Sequence, residues 1–322
     1  MGAPAHVASA RQRRQFIASG VSSQTALPSR GPLELVNLTP LMELTRGRAE
    51  TMIALIDGPI ATSHPDLSGS NIREIPGRIP SACDQTRSFA CMHGTFVAGI
   101  LIAKRGSPAP AICPDSTLLV RPIFAETSAT HAPMPSATPE ELAKAIVDCI
   151  DAGARIINLS AALLQPDAKG ERLLEEALDY SAGRGVIVVA AAGNQGTVGS
   201  SAITRHSWVI PVIACNRLGR PLSYSNLGNS IGRRGLSAPG ENITSLVANG
   251  KQLTFGGTSA AAPFVTGAIA LVWSEFPKAT AAQVKFSMTR SRVVGPATVV
   301  PPLLNAWGAY QAMATIYAKG GV

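Results

Sequence analysis

The stretch Gly185–Gly196, GVIVVAAAGNQG, decides the fold. Val186–Val189 is a run of β-branched residues with no polar alternation, bounded by glycine on one side and small residues on the other. A strand with one wet face alternates apolar and polar; a strand covered on both faces does not. A sheet covered on both faces is built from parallel strands, and parallel strands need helical crossovers. The flanks supply them. Glu171–Ala182 carries Leu173, Leu174, Ala177 and Leu178 at helical spacing, and Arg155–Leu159 before it reads as a strand. Glu140–Ala152 repeats the helical pattern with Leu142, Ile146, Val147 and Ile150 on one face. Met52–Ile56, Leu118–Ile123 and Val209–Ala214 are further short apolar runs. The expectation is an α/β fold, a doubly wound and mostly parallel sheet in three layers. Leu33–Arg46 and Asn305–Met313 read as flanking helices. Residues 1–31, rich in Ala, Ser, Arg and Gln, read as a flexible tail, 32–313 as one domain and 314–322 as a C-terminal tail.

Composition narrows the function classes. Of 322 residues 46% are apolar and only 15% charged, which excludes a disordered chain. The net charge is +8, but basic residues are spread along the chain and not interleaved with aromatics. Arg11, Arg13 and Arg14 form the only dense run and read as part of a solvated tail, so no nucleic-acid partner is expected. Residues 1–30 lack the apolar run of a secretory signal. Ser259–Trp273, the most apolar long segment, is interrupted by Pro263, Thr266 and Gly267 and followed by Glu275. It reads as a buried helix rather than a membrane span. The five cysteines include no CxxC pair, so reduced thiols are the default, with Cys83 and Cys91 the two that would join under an oxidant. No metal set with usual ligand spacing stands out, and no cofactor is expected.

In sheets of this kind, sites form beyond the C-terminal strand ends. That rule selects Asp57 after MIALI, Ser160 after RIINL and Asn194 after VVAAAG. A carboxylate ending an apolar strand is costly without a partner, yet such an Asp is as often structural as functional. His93 opens HGTFVAGILIA, a helix buried on most sides, where a histidine is as often a cap as a base. His64, before Pro65, is a rival base that reads better as a loop residue; His6, His131 and His206 lie in poorly patterned segments. Asn194 between Gly193 and Gly196 is, alone, a turn former. Ser259 in FGGTSAAAPF (255–264) starts a helix whose free N–H groups suit a developing negative charge. Pro263 is expected to fall in the first turn or so of that helix. Together the four residues meet the needs of acyl transfer. Ser259 is the nucleophile, His93 its base and Asp57 the group that orients the imidazole. Asn194 and the Ser259 N–H stabilise the oxyanion.

The chain resembles the subtilisin-family serine proteases. The resemblance rests on ALIDGPIATSHPDL (54–67), HGTFVAGI (93–100), IINLS (156–160), LSAPGENI (236–243) and GGTSAAAPFVTG (256–267), with AAAGNQG (190–196) around the oxyanion Asn. It covers about residues 50–310. It implies an open sheet of the subtilisin type, peptide hydrolysis through an acyl-enzyme, and substrate binding along Ser160, Ala161, Ala162 and Gly193. Ala161 and Ala162 stand where relatives often have Gly, which implies a restricted, small residue before the scissile bond. Ala260 stands where many relatives carry Met, which lowers sensitivity to peroxide. The family's surface calcium sites are not recognisable. Only 56 residues precede Asp57, too few for a folding pro-domain, so a cytoplasmic enzyme acting on a chosen peptide is expected. LTPLMELTRGRAETMIALIDGPI (38–60) and LLVRPIF (118–124) resemble the cyanobactin-maturation proteases, which process ribosomal precursor peptides. Cyclising members carry a helical insertion between acid and base; the interval here is short, which favours cleavage over macrocyclisation. A catalytically silent binding module is the third reading.

Overall fold

The apolar runs pair side by side. In the computed structural model, described for residues 31–126, 137–160, 168–290 and 298–320, they form seven strands. These are β1 (Met52–Asp57), β2 (Ile72–Glu74), β3 (Thr117–Pro122), β4 (Ile156–Leu159), β5 (Ile187–Ala191), β6 (Ile210–Cys215) and β7 (Leu236–Pro239). The order is β2-β3-β1-β4-β5-β6-β7, and every pairing is parallel. Ile53 and Leu55 enter one core and Ala54 and Ile56 the other, all fully buried. Both faces are therefore covered, which is why the strands show no alternation. The strand order reverses at β1, whose neighbours are β3 and β4, so a crevice opens beyond the C-terminal end of β1. An antiparallel hairpin, β8 (Ile243–Val247) and β9 (Lys251–Phe255), stands apart from the sheet. It turns at Asn249-Gly250, both with positive φ, as a tight hairpin requires.

Ten helices complete the described fold. They are α1 (Pro32–Leu35), α2 (Thr39–Leu44), α3 (Phe89–Ile102), α4 (Pro139–Asp151), α5 (Ala168–Gly183), α6 (Ala202–Arg205), α7 (Asn229–Arg234), α8 (Thr258–Glu275), α9 (Ala281–Thr289) and α10 (Ala306–Gly320). On one face of the sheet α3 and α8 build a core with Phe96, Ile100, Phe264 and Leu271; on the other, α4 and α5 build a second with Leu142, Ile146, Leu174 and Leu178. Thr138 caps α4: its hydroxyl accepts from the Glu141 N–H and the Glu141 carboxylate from the Thr138 N–H. α8 is buried from Thr258 to Ser274, which explains a sequence apolar on every side. No described helix is long and apolar enough to cross a membrane.

Several elements depart from expectation for identifiable reasons. The 33–46 helix is two short ones, α1 and α2, because Asn37 adopts a left-handed φ of 52° between them. The C-terminal helix does not end at Met313; it runs to Gly320, where Tyr317 packs on Phe276 at 5.1 Å between ring centroids. Pro263 is the sixth residue of α8, beyond the first turn, and having no N–H it leaves the Ser259 carbonyl without its helical donor. Cys83 and Cys91 are joined in a disulfide, their Cα atoms 5.6 Å apart, against the expected reduced default; Cys113, Cys149 and Cys215 are free and buried. Residues 1–30 lie outside the described residues.

Candidate active site

Asp57, the last residue of β1, is fully buried. Its Oδ1 accepts from the Gly58 N–H at 2.7 Å and from His93 Nδ1 at 2.8 Å. A carboxylate can only accept here, so the proton of His93 sits on Nδ1. That leaves Nε2 as an acceptor, and Ser259 Oγ stands 2.9 Å away. Burial opposes charging of the imidazole. The charge and hydrogen bond of Asp57 outweigh it and hold the His93 pKa above its ordinary value. The arrangement draws a proton off a neutral serine toward a base fixed in one tautomer.

Close backbone packing sets the Asp57–His93 pair. A Cβ on Gly58 would lie 2.1 Å from the Ala90 carbonyl oxygen, and one on Gly94 2.5 Å from the Gly58 and Pro59 carbonyls. Only hydrogen at these two positions lets the turn after β1 touch the first turns of α3. Thr95 adds a tie, since its hydroxyl accepts from the Ala61 N–H at 2.9 Å and donates to the Cys91 carbonyl at 2.7 Å.

The Asn194 side is held by hydrogen bonds. Asn194 Oδ1 accepts from the Thr258 N–H at 2.9 Å and from Thr258 Oγ1 at 3.0 Å. A backbone N–H must face oxygen, so the other end of the side chain is its NH2. Thr258 Oγ1 in turn accepts from the Gly193 N–H at 3.1 Å, and Gly193 itself has φ +102°. Ser259 is the second residue of α8, where its own N–H has no helical acceptor. Both Asn194 and Ser259 line a cavity of about 370 Å³. A donor pair beside a serine hydroxyl at a helix start suits an oxyanion.

Much of the rest of that cavity is apolar. Phe89 stacks on His93 at 5.7 Å, and Phe255 meets the imidazole edge-on at 6.0 Å. Phe124 and Ser160 also line it. Ser160 Oγ accepts from Asn158 Nδ2 at 2.9 Å, and Asn158 Oδ1 accepts from Thr266 of α8 at 2.8 Å, so the end of β4 is tied to the helix that carries Ser259. Ala161 and Ala162 lie outside the described residues. His64 does not line the cavity: its Nδ1 accepts from the Asp66 N–H and its Nε2 faces the Lys251 carbonyl, as a loop residue would. His206 pairs with Asp179. Sequence reading missed Thr258, Thr95, Phe89 and Phe255. Thr258 sits beside Ser259 in the quoted motif, but the partner of a hydroxyl cannot be read from spacing.

Fold and geometry together define a class: an open parallel α/β protein with a serine hydroxyl bonded to an Asp-paired histidine beyond its strand ends. A profile of the subtilase family, Peptidase_S8, matches residues 48–306. The thermophilic serine proteinase of Bacillus sp. (strain AK1) is 33% identical over 236 residues, 72% of this chain and 54% of its own length. The chain thus spans about half the length of that relative. Among solved structures, the protease domain of PatA is 29% identical with a TM-score of 0.74, covering 86% of this chain and 98% of that one. The prenylagaramide maturation protease PagA is 28% identical with a TM-score of 0.75 over the same shares. The chain belongs to the subtilase family.

Proposed function

We propose that the chain is a serine endopeptidase of the cytoplasm that cleaves a ribosomal precursor peptide. Ser259 attacks the scissile carbonyl, His93 takes its proton and returns it to the leaving amine, and Asp57 stabilises the imidazolium. Asn194 Nδ2 and the Ser259 N–H hold the oxyanion; Ser160, Gly193, Ala161 and Ala162 receive the acyl side of the peptide. The observation that carries this reading is the unbroken Asp57–His93–Ser259 hydrogen-bond chain in a buried crevice. The choice of substrate class is supported by the likeness to PagA, whose name states a maturation protease. Cleavage is favoured over macrocyclisation because the interval from Asp57 to His93, all of it described, holds a three-residue 3₁₀ helix, β2 and the first turn of α3, with no inserted helix to shield an acyl-enzyme from water.

A fluorophosphonate probe tests the nucleophile: wild type labels and Ser259→Ala does not. Failure of wild type to label would leave a silent binding module. Mass spectrometry of a precursor peptide after incubation separates the two chemistries. A linear fragment is expected; a product lighter by one water means a transpeptidase.

A further inference from the structure

We propose that Cys83, Cys91 and Glu126 form a redox-gated metal site: a disulfide when oxidised, and when reduced a two-thiolate, one-carboxylate set for a thiophilic divalent cation such as Zn²⁺. The two sulfurs and a Glu126 carboxylate oxygen lie within 4.8 Å of one another. A tetrahedral zinc with Zn–S of about 2.3 Å holds its sulfurs about 3.8 Å apart, so the reduced pair needs only to open within the space the three groups already share. Glu126 is preset. Its Oε2 accepts from the Asp84 N–H at 2.9 Å and its Oε1 from the Gln85 N–H at 3.0 Å, each oxygen keeping a lone pair for a metal.

Cys91 is as buried as the three free cysteines, so what sets it apart is its place in the fold. Cys91 is the third residue of the fourteen-residue α3, where unbonded N–H groups and the helix dipole stabilise a negative sulfur. The other three cysteines contrast with it. Burial pushes the Cys113 and Cys215 thiols up to about 12 and Cys149 up as well, so they stay protonated and do not ligate. Two thiolates and one carboxylate are softer than the all-oxygen sets of calcium or magnesium and leave a fourth position for water. The charge and electrons balance. A phosphine reductant supplies two electrons to the S–S bond, two protons from water complete the thiols, and M²⁺ binding releases both. The set is invisible in the sequence because Glu126 enters from the segment after β3. Cys91 stands two residues before His93 on α3, the helix whose Phe89 and His93 line the cavity.

Cobalt titration of the full chain tests the site, because tetrahedral Co²⁺ bound by thiolate absorbs strongly in the near ultraviolet. Protein reduced with a phosphine and freed of it is expected to bind one equivalent, displaced by Zn²⁺; the disulfide form is expected to bind none. Cys83→Ser and Cys91→Ser each lose the band, Cys113→Ser keeps it, and Glu126→Gln weakens binding at least about tenfold. A variant-free arm guards against misfolding: Zn²⁺ should protect Cys83 and Cys91 of the reduced wild type from alkylation, read residue by residue by mass spectrometry. Absence of the band and of protection in reduced, folded protein overturns the site. A band that persists in Cys83→Ser, or an affinity unmoved in Glu126→Gln, overturns the ligand set.

Discussion

The two halves of the candidate site are fixed by different forces. Around Asn194, Thr258 is the hub: one hydroxyl and one N–H hold the side-chain oxygen, and the same hydroxyl receives Gly193. Around Asp57 and His93, position comes from backbone touching backbone at Gly58 and Gly94, with Thr95 as a tie. Hydrogen bonds aim a group, and removing one lets it swing at modest cost. Close packing has no such slack, and adding one methyl disturbs the whole contact. The half that must hold a proton relay is thus built by sterics, and the half that must receive a developing charge by directed donors.

Substitutions divide along that line. The largest expected effect is from Asp57→Asn, which keeps shape but permits the wrong His93 tautomer; kcat should fall about 10⁴-fold. It also carries a pH signature. Activity needs neutral His93, so the acid limb of wild type should lie above the ordinary histidine value of 6.5, because Asp57 raises the pKa. Without Asp57 the lowering by burial remains, and the limb should move down; an unmoved limb would separate His93 from the acid limb. Asn194→Ala comes next, with kcat down about 10²- to 10³-fold and KM little changed. A rise confined to KM would reassign Asn194 to substrate binding. Gly58→Ala forces a methyl onto the Ala90 carbonyl and should cost about 3 kcal/mol, seen as a lower urea midpoint at constant slope. If stability is untouched, packing does not set this half. Thr258→Val should cost about tenfold in kcat through Asn194, and Thr258→Ser should restore it. Equal losses in both variants would mean that the hydroxyl is not the hub.

Much of this was legible in the sequence, and the gaps have physical causes. β1, β3, β4, β5 and β6 announced themselves because both faces are buried, so each is mostly apolar with no alternation, Asn158 in β4 and Arg121 in β3 being among the polar exceptions. β2 did not: Ile72–Glu74 is three residues long on the sheet edge, two of them exposed. The β8–β9 hairpin carries a turn signal in Asn249-Gly250, but Lys251–Phe255 is too exposed to read as a strand. Asp57, Asn194 and Ser259 were legible because each stands beside a strand end or helix start; His93, expected to open its helix, is instead the fifth residue of α3, which starts at Phe89. Thr95 and Thr258 were not, because their roles depend on partners from distant segments. The Cys83–Cys91 bond escaped the default reading, which weighed compartment over the proximity that a helix start creates.

The burial of α8 reaches past packing. Ser259 is the second residue of an element enclosed from Thr258 to Ser274, so no surface fluctuation frees the serine without opening the main core. Amide exchange along α8 should therefore proceed only through global unfolding. Heat inactivation and loss of tertiary structure should trace one curve, making turnover a direct gauge of how much of the population is folded.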